Sequence, residues 1–247
     1  MRTPLLTLAL LVALPAAAQV EDPARGDVPV VTPGSDLLDL SYLAPDTTTY
    51  TVTVVQGDMR QEIGSVVRTR TVDEAAGEIT IVTEMAMMGN KFADTTRAAW
   101  PSLAARSHRS QNPQRTLRFD VADGVLTGEH QPAGGEAEAF EMTVDGPIYD
   151  SAFLGEIAAA LPLADGYAVT VPAYEYEAGG LAEYTVRVVG GEKLARGGKA
   201  PVDVWVVEPT RPGSDALPRL YLSREGHDLV RIHIVPQPGV EVLIDAE

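Results

Sequence analysis

From Thr48 onward, polar and apolar residues alternate with a period of two. Thr49, Thr51, Thr53 and Val55 interleave with Tyr50, Val52 and Val54, the pattern of a half-buried strand. Gly57-Asp58 supplies a turn, and the partner strand runs over 60–72, with a bulge or bend expected at Gly64. A third strand follows over 78–88, then others over 91–99, 104–110, 116–122, 125–131 and 137–144. Asp123-Gly124 and the run 132–135 have the composition of hairpin turns.

One helix interrupts the series. Asp150 or Ser151 caps a segment ending at Leu161, Pro162 stops it, and Phe153, Ile157 and Leu161 form an apolar stripe on one face. That stripe requires a sheet to cover it. Strands resume over 167–176, 181–189, 201–208, 219–223, 229–235 and 240–245, separated by glycine pairs such as Gly179-Gly180 and Gly190-Gly191. Many short strands without crossover helices predict an all-β, mainly antiparallel fold. The architecture expected is a large curved sheet, as a half-barrel or a sandwich, with one helix docked near 150–161. The tetrapeptide Pro-Gly-Ser-Asp occurs at 33–36 and again at 212–215 and reads as turn chemistry.

The first residues carry a different signal. A basic Arg2, an apolar run from Leu5 to Leu14, and the small residues Ala16 and Ala18 have the form of a secretory signal peptide cleaved before Gln19. This predicts a periplasmic or secreted protein. The domain plan is a signal over 1–18, a flexible leader over 19–47 rich in Pro, Gly, Asp and Glu, and a β domain over 48–247. That domain is open to division into two subdomains meeting near 145–165. Within the leader, the stretch 35–40 has the pattern of one short helical turn capped by Ser35 or Asp36.

Composition narrows the function. With no cysteine, disulfides and lipid attachment at a cysteine are excluded, and stability rests on an apolar core. Removal of the signal takes away Arg2 and moves the net charge from −16 to −17. Nucleic acid and anionic lipid surfaces are poor partners for such a chain. An embedded β-barrel is disfavoured by few aromatic residues, by basic residues within the strands, and by the end Leu243-Ile244-Asp245-Ala246-Glu247, which lacks a closing aromatic.

The second half has a recognisable order. Helix 150–161 is followed by Leu163-Ala164-Asp165-Gly166-Tyr167, by Val169-Thr170-Val171-Pro172, and by the run from Tyr184 to Lys193. Val202-Asp203-Val204-Trp205-Val206-Val207, then Leu220-Tyr221-Leu222-Ser223 and Leu229-Val230-Arg231-Ile232 complete it. This resembles the exported bacterial proteins of the DUF3108 family, over about 48–245, with Ile63-Gly64 matching the family's opening hairpin. It is also similar to the wider set of lipoprotein-carrier-like half-barrels. The resemblance implies a curved antiparallel sheet whose concave face holds helices or apolar ligands, and it supplies no catalytic residues.

Candidate chemistry is sparse. The four histidines, His108, His130, His227 and His233, lie in separate segments. No Gly-x-Ser-x-Gly elbow accompanies the hydroxyls beside His108, which reads as a surface-strand histidine. His227, Asp228 and His233 have loose spacing for zinc. Met85 and Met87 share a strand face while Met88 points away, a core-filling pattern rather than a copper site. Tyr174-Glu175-Tyr176-Glu177 alternates aromatic and acidic faces and suits sugar stacking or a protected edge strand. No catalytic, cofactor-binding or metal-binding residue is assigned, no cofactor is expected, and the protein is read as non-enzymatic. The leading expectation is binding of a lipid or lipoprotein chain in the cell envelope. The alternatives are a scaffold that pairs with another envelope protein through a sheet edge, and an envelope polymer hydrolase.

Overall fold

The computed structural model describes residues 28–176, 178–196, 199–214 and 217–247. The expected signal peptide and the expected leader up to residue 27 lie outside the described residues. The first half is a meander: β1 (Asp46–Gln56), β2 (Met59–Asp73), β3 (Glu78–Met87), β4 (Asn90–Ala99), β5 (Ala105–Asn112), β6 (Arg115–Ala122), β7 (Val125–Pro132) and β8 (Glu138–Thr143). The short β9 (Tyr149–Asp150) leads through a 3-10 turn, Ser151–Phe153, into α1 (Leu154–Ala160). A second meander follows: β10 (Ala168–Glu175), β11 (Gly180–Arg196), β12 (Lys199–Thr210), β13 (Arg219–Ser223), β14 (Leu229–Gln237) and β15 (Val240–Ala246).

All fifteen strands belong to one sheet, ordered β8-β7-β6-β5-β4-β3-β2-β1-β15-β14-β13-β12-β11-β10-β9. It is antiparallel except where β9 meets β10. The two meanders join through β1 and β15, paired from Tyr50↔Ala246 to Gln56↔Val240. The sandwich alternative is therefore replaced by a single curved sheet.

The sheet rolls over its own β9–β10 edge. Ala105 donates its N–H to the Ile148 carbonyl at 2.8 Å, which sets β9 over β5. β10 then has two buried faces. Val169, Val171 and Ala173 join the main core, while Tyr174 packs with Phe119, Leu117 and Leu126 from β6 and β7. Tyr174 meets Phe119 edge-on, with ring centroids 4.9 Å apart.

The main core is the concave face with α1 inside it. Phe153, Ile157 and Leu161 are buried together with Ile79, Ala98, Val171, Val207 and Leu222 from five different strands of the wall. Burial of each large side chain contributes about 1.5–3 kcal/mol. The helix starts where expected because the Asp150 carboxylate accepts the Ala152 N–H, satisfying a first-turn donor.

The leader expectation is corrected over its described part. Residues 28–45 are fixed to the domain: Val31 donates to the Thr170 carbonyl, Thr170 donates to that of Pro29, both at 2.8 Å, and Val31 and Leu43 are fully buried. Isolated apolar residues among prolines and acids gave no periodicity, yet Val31 and Leu43 fill holes in the concave core while Val30 and Leu37 stay exposed. The helical turn forms later than expected, at Leu40–Leu43, capped by Asp39. Hydrogen bonds from the Ser41 hydroxyl and N–H hold the Asp39 carboxyl below its ordinary pKa. Asp39 in turn donates its N–H to the Ala160 carbonyl at 2.7 Å, tying this segment to the end of α1.

Gly64 marks the bulge the sequence signalled. Pairing shifts between Val52↔Gly64 and Thr53↔Glu62, leaving Ile63 as the extra residue. A Cβ at Gly64 would collide with the Ala86 carbonyl oxygen, which is backbone and cannot swing away. Gly64→Ala is expected to cost about 1–3 kcal/mol, read as a lowered urea midpoint. An unchanged midpoint would mean that β2 and β3 separate freely here.

Candidate functional site

The concave face of β1 and β2 changes character along its length. Val52 and Tyr50 on β1 face the same side as Val66 on β2, an apolar patch. The next pairs in that row are Thr48↔Arg68 and Asp46↔Arg70. This polar end opens into a cleft of about 1130 Å³. Its other walls are the end of β11 at Arg196, the start of β12 at Val202 and Asp203, and the turn after β13 at Arg224.

Each arginine has a different setting. Arg68 reaches Glu156 of α1 in a buried ion pair. Burial works against the Arg68 charge, but the neighbouring Glu156 carboxylate and its hydrogen bond outweigh that and hold the guanidinium above its ordinary pKa. Arg70 donates to the Ala44 carbonyl at 2.7 Å. Arg196 donates to the main-chain oxygens of Ala246 and Glu247, at 3.0 and 3.3 Å. The Arg224 guanidinium lies 3.9 Å from the centroid of the Trp205 ring. Gly191 makes room for it, since a Cβ there would overlap the guanidinium. Apolar surface sits beside these charges, at Tyr50, Val202, Leu229 and Val230, and the Tyr50 hydroxyl donates to the Leu229 carbonyl at 3.1 Å.

His108, expected on a strand surface, is fully buried. Its ring lies between Phe119 and Tyr176, with centroids 5.4 and 4.5 Å away. Nδ1 is 2.9 Å from an Asp150 carboxylate oxygen and 3.0 Å from the Thr96 hydroxyl. Nε2 has no hydrogen-bond partner among the described residues. A general base needs its free nitrogen turned to a nucleophile, and here both hydroxyl and carboxylate sit on Nδ1. The arrangement pins β5 to β9 and to the cap of α1. The sequence misled because Ser107 and Arg109 are polar, whereas His108 occupies the inward register opposite Thr96 and Phe119.

The remaining candidates are dispersed. His227 stacks on Tyr42, with centroids 3.9 Å apart, and its Nδ1 donates to the Ala159 carbonyl at 2.7 Å. His233 lies on β14, 3.1 Å from a Glu241 carboxylate oxygen, and Asp228 bonds with Ser223. Met85 and Met87 pack on the Tyr50 patch, while Met88 is exposed at a turn. Among the described residues no group of three metal-ligating side chains converges.

Tyr174, Glu175 and Tyr176 split between faces, and Glu177 lies outside the described residues. Glu175 turns inward to the Tyr184 hydroxyl and to Arg211, 3.1 Å away. Tyr174 and Tyr176 line a second cleft of about 330 Å³ together with Phe140, Met142, Leu117, Arg115 and His130.

Burial raises the phenols of Tyr149 and Tyr184 well above the ordinary tyrosine value, and for Tyr184 the hydrogen bond with Glu175 adds to it. Above about pH 10 the unfolded chain loses protons that the folded chain keeps. Stability from these groups is therefore full below about pH 10 and lost as pH rises. In an alkaline titration followed by tyrosinate absorbance, two of the eight tyrosines are expected to ionise only as the protein unfolds. Smooth titration of all eight in the folded state would contradict this.

The cleft residues were missed in the sequence, yet they left a signal. Arg68 and Arg70 keep the register of Val66, so they had to share its inward face. Glu156 lies three residues after Phe153, close to the helix's apolar stripe.

Residues 40–245 match the family described as "Protein of unknown function (DUF3108)". Among solved structures, that of a DUF1329 family protein from Desulfovibrio piger ATCC 29098 aligns at 10% identity, covering 84% of this chain and 86% of that one, with a TM-score of 0.21. No curated protein matches the chain. Among the described residues, no helix is long and apolar enough to cross a membrane.

Proposed function

The chain belongs to the DUF3108 family, whose function is unknown, and from that premise we propose that it is an exported, non-catalytic binding protein of the cell envelope that takes an amphiphile with an anionic head. The observation that carries this reading is the cleft in which Arg70, Arg196 and Arg224 stand beside the ion-paired Arg68, among the acidic side chains of Asp46, Asp203, Glu225, Asp228 and Glu247. Arg70 and Arg224 line it with no carboxylate within 4.0 Å of either guanidinium among the described residues, in a chain of net charge −16. Guanidinium groups hold carboxylate or phosphate head groups through paired, charge-assisted hydrogen bonds. The part-buried Val202 and Leu229 offer the apolar part of such a ligand a surface to cover.

This moves the ligand from the place first expected for it. The concave face is filled by α1 and by Val31 and Leu43, so an acyl chain rests at the mouth rather than in the interior. Export is supported by Arg2, the apolar run 5–14 and the small residues Ala16 and Ala18. The non-catalytic reading is supported by the setting of His108, buried and engaged on Nδ1.

The test is native mass spectrometry with solvent extraction on chain 19–247, purified without detergent. Bound lipid is expected, along with binding of an added lysophospholipid probe that weakens about tenfold in Arg70→Ala/Arg224→Ala, the loss of one good charged contact. Absence of both extracted lipid and probe binding would remove the carrier reading. Full retention in the double variant would remove the cleft as its site.

A further inference from the structure

β8 ends the sheet, and among the described residues no strand pairs with its outer side. Such edges are normally blunted by a bulge, a proline, an inward lysine or a cover. β8, Glu-Ala-Phe-Glu-Met-Thr, has no lysine or proline, and its pairing with β7 runs without a register shift from Val125↔Thr143 to His130↔Glu138. Its main-chain donors and acceptors on that side are therefore in position for another strand.

The second cleft lies at this edge. Three consecutive β8 residues, Phe140, Glu141 and Met142, line it. Side chains of neighbouring strand residues point to opposite faces, so a cavity touching all three reaches the strand's main chain. Phe140 sits against Gly128, where a Cβ would overlap the ring, and Leu117 and the buried Tyr174 form the floor. An open edge beside an apolar pocket has the two parts of strand-addition recognition: main-chain bonds for affinity and a pocket for an alternate side chain.

Charge selects the occupant. Glu138 and Glu141 are exposed on β8. A second copy added antiparallel supplies no basic side chain to either glutamate, and registers that set Glu138 or Glu141 opposite a glutamate are unfavourable. We propose that β8 docks an extended peptide of alternating apolar and basic residues, with an apolar side chain seated in the Phe140–Tyr174 pocket and a basic one beside Glu141. The inference is independent of the arginine cleft, which lies on β1, β2 and β11–β15.

The test uses hydrogen exchange of chain 19–247 with a capped seven-residue peptide alternating Val and Lys, and with its Val and Glu counterpart. Saturable slowing of the 138–143 amides is expected with the Val and Lys peptide alone. Its affinity is expected to fall about tenfold or more in Glu141→Lys and in Phe140→Ala. Glu141→Lys changes an exposed side chain, so it reports even where Phe140→Ala loosens the edge. The proposal is overturned if those amides are not slowed, if the Val and Glu peptide binds equally, if both variants bind unchanged, or if cross-linking shows β8 occupied by a second copy.

Discussion

Arg68→Ala is expected to destabilise the protein by about 3–5 kcal/mol, the usual cost of removing one member of a buried ion pair. Glu156 is 1% exposed and Arg68 is 16% exposed. The second carboxylate oxygen of Glu156 already lacks a hydrogen-bond partner among the described residues. Without the guanidinium, that carboxyl group is buried and without a partner inside the concave face. The double variant Arg68→Met/Glu156→Leu is expected to recover most of the loss, since a buried pair replaced by apolar groups of similar volume is often neutral or better. Urea unfolding of the two variants decides the matter. If Arg68→Ala costs under about 1 kcal/mol, the range of an exposed pair, water reaches Glu156 and the cleft extends deeper than its lining shows. The pair is also the polar link between β2 and α1, so the same comparison reports how firmly the helix is held.

The strands were legible because turns punctuate them and one face of each is buried. The expected 116–122 and 125–131 are close to Arg115–Ala122 and Val125–Pro132, with Asp123-Gly124 between them at positive φ. β11 was read too short for a definite reason. Gly190-Gly191 looked like a hairpin loop, but Gly190 at φ +151° forms a bulge and the strand continues to Arg196. The second glycine is needed for packing, as it leaves space for Arg224 over Trp205. A glycine pair has the same composition in a turn and in a bulge, and only the partner strand tells them apart. The helix was found because the cap, the stripe and the stop agree. The roll of the sheet was not, because it depends on contacts such as His108 with Asp150, 42 residues apart. The candidate site was hidden for the same reason: Arg70 and Arg224 meet only after the two meanders pair through β1 and β15.

Phe153→Ala is expected to cost about 3–5 kcal/mol, the range for a fully buried aromatic. Phe153 has no exposed surface and packs in the concave core against strands from both meanders. Its removal leaves a void lined by apolar groups, and an apolar void stays dry and takes small apolar guests. The variant is therefore expected to unfold at lower urea and to regain part of the loss when saturated with benzene or xenon. The wild-type protein should show no such gain, because its interior is full. These two measurements separate two views of α1. If the helix is structural core, the cost is large and the cavity is created only by the substitution. If the cost is under about 1 kcal/mol, the helix is a loosely held plug, and the concave face is open to an apolar ligand whenever the helix moves aside. The buried Glu156, the bond from Asp39 to Ala160 and the cap at Asp150 all tie this short helix down. With three separate anchors on so short a helix, displacing it breaks a buried ion pair, a cap and a main-chain bond together, and that favours the first outcome.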